Sequence, residues 1–136
     1  MEEAYLMWLA RVTLHNAKKA FQLLGRFGTA ESIFYAEAEE IRHALGNAPK
    51  LADAILSQRD PEMLEEWMIE LEEKEISFYS YFHPSYPDLL KQIYDPPLGI
   101  YVKGVLPDDH IDKIGVIGAR RCSQYGSSVA YRITKD

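Results

Sequence analysis

The segment Ile114-Gly115-Val116-Ile117-Gly118 constrains the architecture of this chain more than any other. Val116 and Ile117 read as an interior strand, apolar on both faces, of the kind that parallel sheets contain. Such a strand needs parallel neighbours and covering helices. The sequence offers one more helix, Gly126 to Asp136, and ends there. Residues 76–136 are too few to build a doubly wound sheet. The expected fold is therefore α+β as given. A helical domain occupies 1–75, and 76–136 form the incomplete, truncated start of an α/β domain.

The helical half is read from period and punctuation. Tyr5, Leu6, Leu9 and Val12 recur on one stripe of a helix from Glu3 to Val12, with Trp8 beside it. Asn16 is expected to cap a second helix through its side chain, with Gly25 as its stop. Thr29 caps a third helix through Ile33 and Phe34, and Glu37 to Leu45 form a fourth, stopped by Gly46. Pro49 opens a fifth. Asp60-Pro61 is the strongest start signal, because proline at the first helical position gives up only an N–H that would be unpaired. Leu64, Trp67, Met68 and Leu71 follow at helical spacing. Glu65, Glu66, Glu70, Glu72 and Glu73 read as a solvated acidic face.

The pattern changes near Glu75. Ile76 to Phe82 is rich in aromatic residues and reads as a strand. A turn, His83 to Pro87, precedes a short helix, Asp88 to Tyr94, with Leu89, Leu90 and Ile93 inward. Asp95-Pro96-Pro97 stops it. Leu98 to Val102 is a second strand ending near Gly104, and Lys113 to Ile117 a third. Tyr79, Tyr81, Phe82 and Tyr86 read as a seam between the two domains. Base stacking is the competing role.

Charge is unevenly spread. The 136 residues carry a net charge of −6. Residues 1–75 hold 8 basic and 15 acidic residues, whereas from Lys113 onward there are 5 basic residues against Asp136. A net negative chain argues weakly against nucleic acid as partner, but its basic end does not. No apolar run approaches the roughly 20 residues needed to cross a bilayer. The acidic Met1-Glu2-Glu3 is unlike a signal peptide. The single cysteine, Cys122, excludes an internal disulfide or a multi-cysteine zinc site. These features fit a soluble, cytoplasmic protein. His15, His43, His83 and His110 lack metal-ligand spacing. No carboxylate pair is set apart as acid and base. No catalytic residue, metal or cofactor is expected.

The chemistry concentrates between Gly118 and Gly126. Gly118 allows a tight turn and close ligand approach. Ser123 can cap the following helix, whose free N–H groups can hold a phosphate. Arg120 and Arg121 add donors that fit phosphate oxygens bidentately. Arg121 can alternatively pair with an acid such as Asp112. The dinucleotide fingerprint is absent, because two residues rather than one separate Gly115 from Gly118.

Gly118-Ala119-Arg120-Arg121, Ser123 and Tyr125-Gly126 resemble a motif of the DNA-processing family DprA, also called Smf. Tyr86-Pro87, Asp95-Pro96-Pro97 and Leu98 through Tyr101 to Gly104 match its upstream block in order and spacing. Leu23 to Gly28 is loosely similar to the family's N-terminal domain. The resemblance implies a helical domain, SAM-like or helix-hairpin-helix-like, followed by an extended Rossmann-like domain. It implies sequence-independent binding of single-stranded DNA in natural transformation, without enzymatic activity. Family members protect incoming strands, assist loading of the recombinase RecA and form homodimers. The implied phosphate contacts are Gly118, Ala119, Arg120, Arg121 and Ser123, supported by the loop residues Tyr125 and Gly126. Two rival readings stand beside it. One is a Rossmann-like nucleotide-utilising enzyme of the nucleoside monophosphate phosphoribohydrolase type. The other is an acidic helical protein-interaction module.

Overall fold

Six helices form where apolar periodicity and capping agree. The computed structural model describes residues 2–14, 16–108, 111–112 and 114–135. The expectations for His15, His110, Lys113 and Asp136 lie outside these residues. The helices are α1 (Glu2–Val12), α2 (Ala17–Phe27), α3 (Ala30–Tyr35), α4 (Ala38–Ala44), α5 (Pro49–Ser57) and α6 (Pro61–Glu73). Asp60 caps α6 as its position suggests, its Oδ1 accepting from the Glu62 N–H at 3.0 Å. Thr29 Oγ1 likewise accepts from the Ser32 N–H at 3.0 Å.

Two helix ends differ from expectation. Asn16 stands at the start of α2, but its side chain makes no capping bond. Its backbone carbonyl accepts instead from Lys19 and Ala20. Gly25 does not stop α2, because it sits inside the helix. Gly28, at φ +86°, takes the left-handed position and donates its N–H to the Leu24 carbonyl at 2.8 Å.

The core lies among these helices. Trp8, Leu9, Leu23, Ile33, Ile41, Leu45 and Ile55 are fully buried. Phe34 stands edge-on to Trp8, with centroids 4.9 Å apart. Two long-range polar contacts reinforce the packing, and neither is visible as a sequence pattern. Trp8 Nε1–H donates to the Gln58 carbonyl at 2.7 Å. The Arg59 guanidinium donates to the carbonyls of Ala36 and Ile33 at 2.6 and 2.7 Å. It thereby supplies a donor to the Ala36 carbonyl and a second donor, beside the Ala36 N–H, to the Ile33 carbonyl at the end of α3.

The second part begins with β1 (Ile76–Ser80), which pairs antiparallel with β2 (Gly99–Lys103) in the register Phe78↔Tyr101. β1 rests on α1 and α6. Glu3 ties its end down, accepting from the Ser80 N–H at 2.9 Å and from its hydroxyl at 3.3 Å. Between the strands lies α7 (Asp88–Lys91), shorter than expected. Leu89 and Ile93 are exposed rather than inward. The chain ends in α8 (Gln124–Lys135), which has no buried residue.

The strand expected at Lys113 to Ile117 does not form in its described part. Residues 114–119 have no regular structure, and Ile117 is 97% exposed. A strand apolar on both faces requires ladder partners. The sheet of described residues has two strands, already paired with each other.

Candidate nucleic-acid interface

The turn before α8 has the local geometry its residues dictate. Ser123 Oγ accepts from the Gly126 N–H at 3.1 Å, and the Ser123 carbonyl accepts from Ser127 N–H at 3.0 Å. Ser123 therefore acts as the cap of α8. The helix starts at Gln124, so Tyr125 and Gly126 lie in its first turn rather than in a loop. Gly118, Ala119, Arg120 and Arg121 precede it, all exposed. Among the described residues neither arginine makes an ion pair, and Arg121 does not pair with Asp112. Cys122 is exposed beside them. The positive end of the α8 dipole, its unpaired first N–H groups and two guanidinium groups thus share one short segment.

Two basic side chains at the start of α2 are engaged internally. Lys19 Nζ donates to Gln22 Oε1 at 3.0 Å and to Asn47 Oδ1 at 2.9 Å. Lys18 Nζ lies over the Tyr94 ring at 3.7 Å.

Of the aromatic residues after β1, Tyr86 is buried and Tyr81 half-buried, whereas Phe82 is 59% exposed. Tyr81 and Phe82 follow the end of β1 at Ser80. Both rings meet Phe21 of α2, at 5.0 and 6.4 Å between centroids. Trp8 and Trp67 are likewise core elements, with the Arg11 guanidinium 4.0 Å over Trp67. The two upstream motifs meet through Tyr86. Its buried hydroxyl donates to the Pro97 carbonyl at 2.8 Å, joining Tyr86-Pro87 to Asp95-Pro96-Pro97. Nothing in the spacing alone indicates that this match reflects a hydrogen bond closing the loop between β1 and β2.

Burial pushes the Tyr86 phenol up to about 12. The hydrogen bond to Tyr35 and burial raise Tyr5 similarly, to about 12. An unfolded tyrosine titrates near 10. The folded state therefore holds these protons more tightly, and their contribution is complete below pH 10 and lost as pH rises to about 12. Urea unfolding across this window should show stability falling. Tyr86→Phe should blunt the fall while costing about 1 kcal/mol at pH 7, because the half-buried Pro97 carbonyl loses its donor. An unchanged slope in the variant would contradict this assignment.

Among the described residues no group of histidine, cysteine, aspartate and glutamate can hold a metal ion. No helix of the described residues is long and apolar enough to cross a membrane.

The class is a chain with a helical part and a serine-capped helix preceded by two arginines that make no ion pair among the described residues. Comparison with known proteins narrows this. Residues 77–136 match the family model of DNA recombination-mediator protein A. Protein Smf of Borreliella burgdorferi is 52% identical over 40 residues, 29% of this chain and 13% of that protein. Protein Smf of Synechocystis sp. is 29% identical over 148 aligned residues, covering 98% of this chain and 35% of that protein. No solved structure gives a significant match. The similarity to DNA recombination-mediator protein A and to Protein Smf is thus distant and extends over part of those proteins' length. It spans about a third or less of the curated relatives it matches.

Proposed function

We propose that this chain is part of a sequence-independent single-stranded DNA-binding protein of the DprA/Smf kind. Gly118, Ala119, Arg120, Arg121 and Ser123 contact the DNA backbone, with Tyr125 and Gly126 supporting the turn from α8. The observation that carries this reading is the Ser123-capped start of α8, preceded by two exposed arginines without ion pairs, inside the segment that matches DNA recombination-mediator protein A. In this reading residues 1–75 are a SAM-like or helix-hairpin-helix-like domain, and 76–136 contribute to a Rossmann-like domain. With the length its relatives have, the protein forms homodimers, protects incoming DNA in natural transformation and assists the recombinase RecA. It performs this role in the cytoplasm without catalysing a reaction.

The test is a fluorescence-anisotropy titration of the chain with labelled oligothymidylate over a salt series. Phosphate contacts give log K a slope of about −0.7 per contact for single strands. Arg120→Ala should weaken binding and flatten the slope by about 0.7. An unchanged affinity and slope would remove Arg120 from the site. Oligonucleotides of different sequence should bind alike, since phosphate contacts carry no base information.

A further inference from the structure

Among the described residues the outer edge of β1 pairs with no strand, and its surroundings select a kind of partner. The Tyr81 N–H donates to the Leu98 carbonyl at 2.7 Å. With the observed register, Tyr79 and Ser77 therefore direct their peptide groups at β2, and Ile76, Phe78 and Ser80 direct theirs outward. Glu3 takes the outward N–H of Ser80 at 2.9 Å, standing where a neighbouring strand would. Among the described residues no group does the same for Ile76 or Phe78. β1 carries neither the lysine nor the proline that commonly blunts an edge.

A groove of about 700 Å³ runs along this edge, between β1, α6 and Glu3. A second, of about 480 Å³, adjoins it through Met68 and Ile69. These two side chains are 42% and 56% exposed, and Met68 stands one turn after Leu64, which lines the second groove with them. Glu65, Glu72 and Glu75 line the grooves, and no lysine or arginine does. None of the three carboxylates is in an ion pair with a described residue. A phosphodiester strand would be repelled here, whereas a cationic polypeptide would be drawn in.

We infer that this edge is a docking site for an extended basic segment of a separate protein, added to β1 as a third strand. Its main chain pairs with the outward groups of Ile76 and Phe78, and its side chains meet the grooves beside α6. Apolar ones lie on Met68 and Ile69, and cationic ones face Glu65, Glu72 and Glu75. This surface is distinct from the Gly118 to Ser123 turn and does not depend on it.

The probe is a labelled peptide of about ten residues, the upper length of ordinary strands, alternating lysine and valine. A glutamate–valine peptide of equal length is the control. The lysine peptide should bind about tenfold or more tightly than the control, a difference of about 1.4 kcal/mol. Its binding should slow hydrogen exchange at the Phe78 amide, read by NMR. The double variant Met68→Lys, Ile69→Lys alters exposed side chains. It should keep the circular dichroism spectrum of the parent and bind about tenfold more weakly. Absent binding, equal binding of the two peptides, or binding that leaves Phe78 exchange unchanged would overturn the proposal. Self-association of the chain alone in sedimentation, abolished by the double variant, would assign the groove to a second copy and overturn it equally.

Discussion

Trp8→Ala removes a large fraction of the stability of the helical part. The indole is 0% exposed and packs edge-on to Phe34. Deleting a buried aromatic side chain costs about 3–5 kcal/mol through lost transfer energy and the cavity left behind. The Gln58 carbonyl, at the end of α5, also loses its donor. An unsatisfied buried acceptor costs about 1–3 kcal/mol, but water entering the new cavity would recover part of it. The expected loss is therefore about 4 kcal/mol, measured by urea unfolding followed by circular dichroism. A domain with only 5–15 kcal/mol in total would be partly unfolded at 37 °C. Trp8→Phe separates the two effects by keeping most of the ring and deleting the donor, and should cost about half as much. A loss below about 1 kcal/mol for Trp8→Ala would mean that α1 does not hold the core.

Arg59→Met is the second large effect. Its guanidinium satisfies two carbonyls at the end of α3 from 23 and 26 residues away in sequence. Hydrogen bonds to charged groups contribute about 1.5–3 kcal/mol each. Opposing them is desolvation, which holds the Arg59 pKa below its ordinary value, and a buried Nε with no partner. The pair of bonds outweighs this cost, because methionine would retain the packing of the stem but leave the Ala36 carbonyl without a donor and the Ile33 carbonyl with only the long bond from the Ala36 N–H, at 3.4 Å. The expected destabilisation is about 2 kcal/mol, with hydrogen exchange accelerating in α3 before α1. A neutral or stabilising result would show that desolvation cancels the cap, as happens for some buried charges.

Local signals were legible where one residue decides the outcome. Asp60-Pro61 and Thr29 mark their helices because capping depends on a side chain within three residues. Gly25 misleads because glycine is merely permissive. The left-handed turn falls at Gly28, where α2 has buried its apolar face and the chain must reverse into α3. Leu89 and Ile93 look inward by period, yet α7 has only four residues and no stripe to bury. Contacts spanning the chain were not legible. Glu3 with Ser80, Trp8 with Gln58 and Tyr86 with Pro97 follow from tertiary packing, and no spacing announces them. The Gly118 to Ser123 turn was legible as a capped helix start. The strand leading into it was not a local property, since its formation depends on neighbours.

The central claim is that single-stranded DNA meets this chain at the turn before α8. Amide chemical shifts of the isotopically labelled chain, followed by NMR as oligothymidylate is added, test it most directly. Gly118, Arg120, Arg121, Ser123 and Tyr125 should move first and together, with the movement reversed by added salt. Shifts confined to Lys18, Lys19 and Arg26, or no shift at millimolar oligonucleotide, would contradict it.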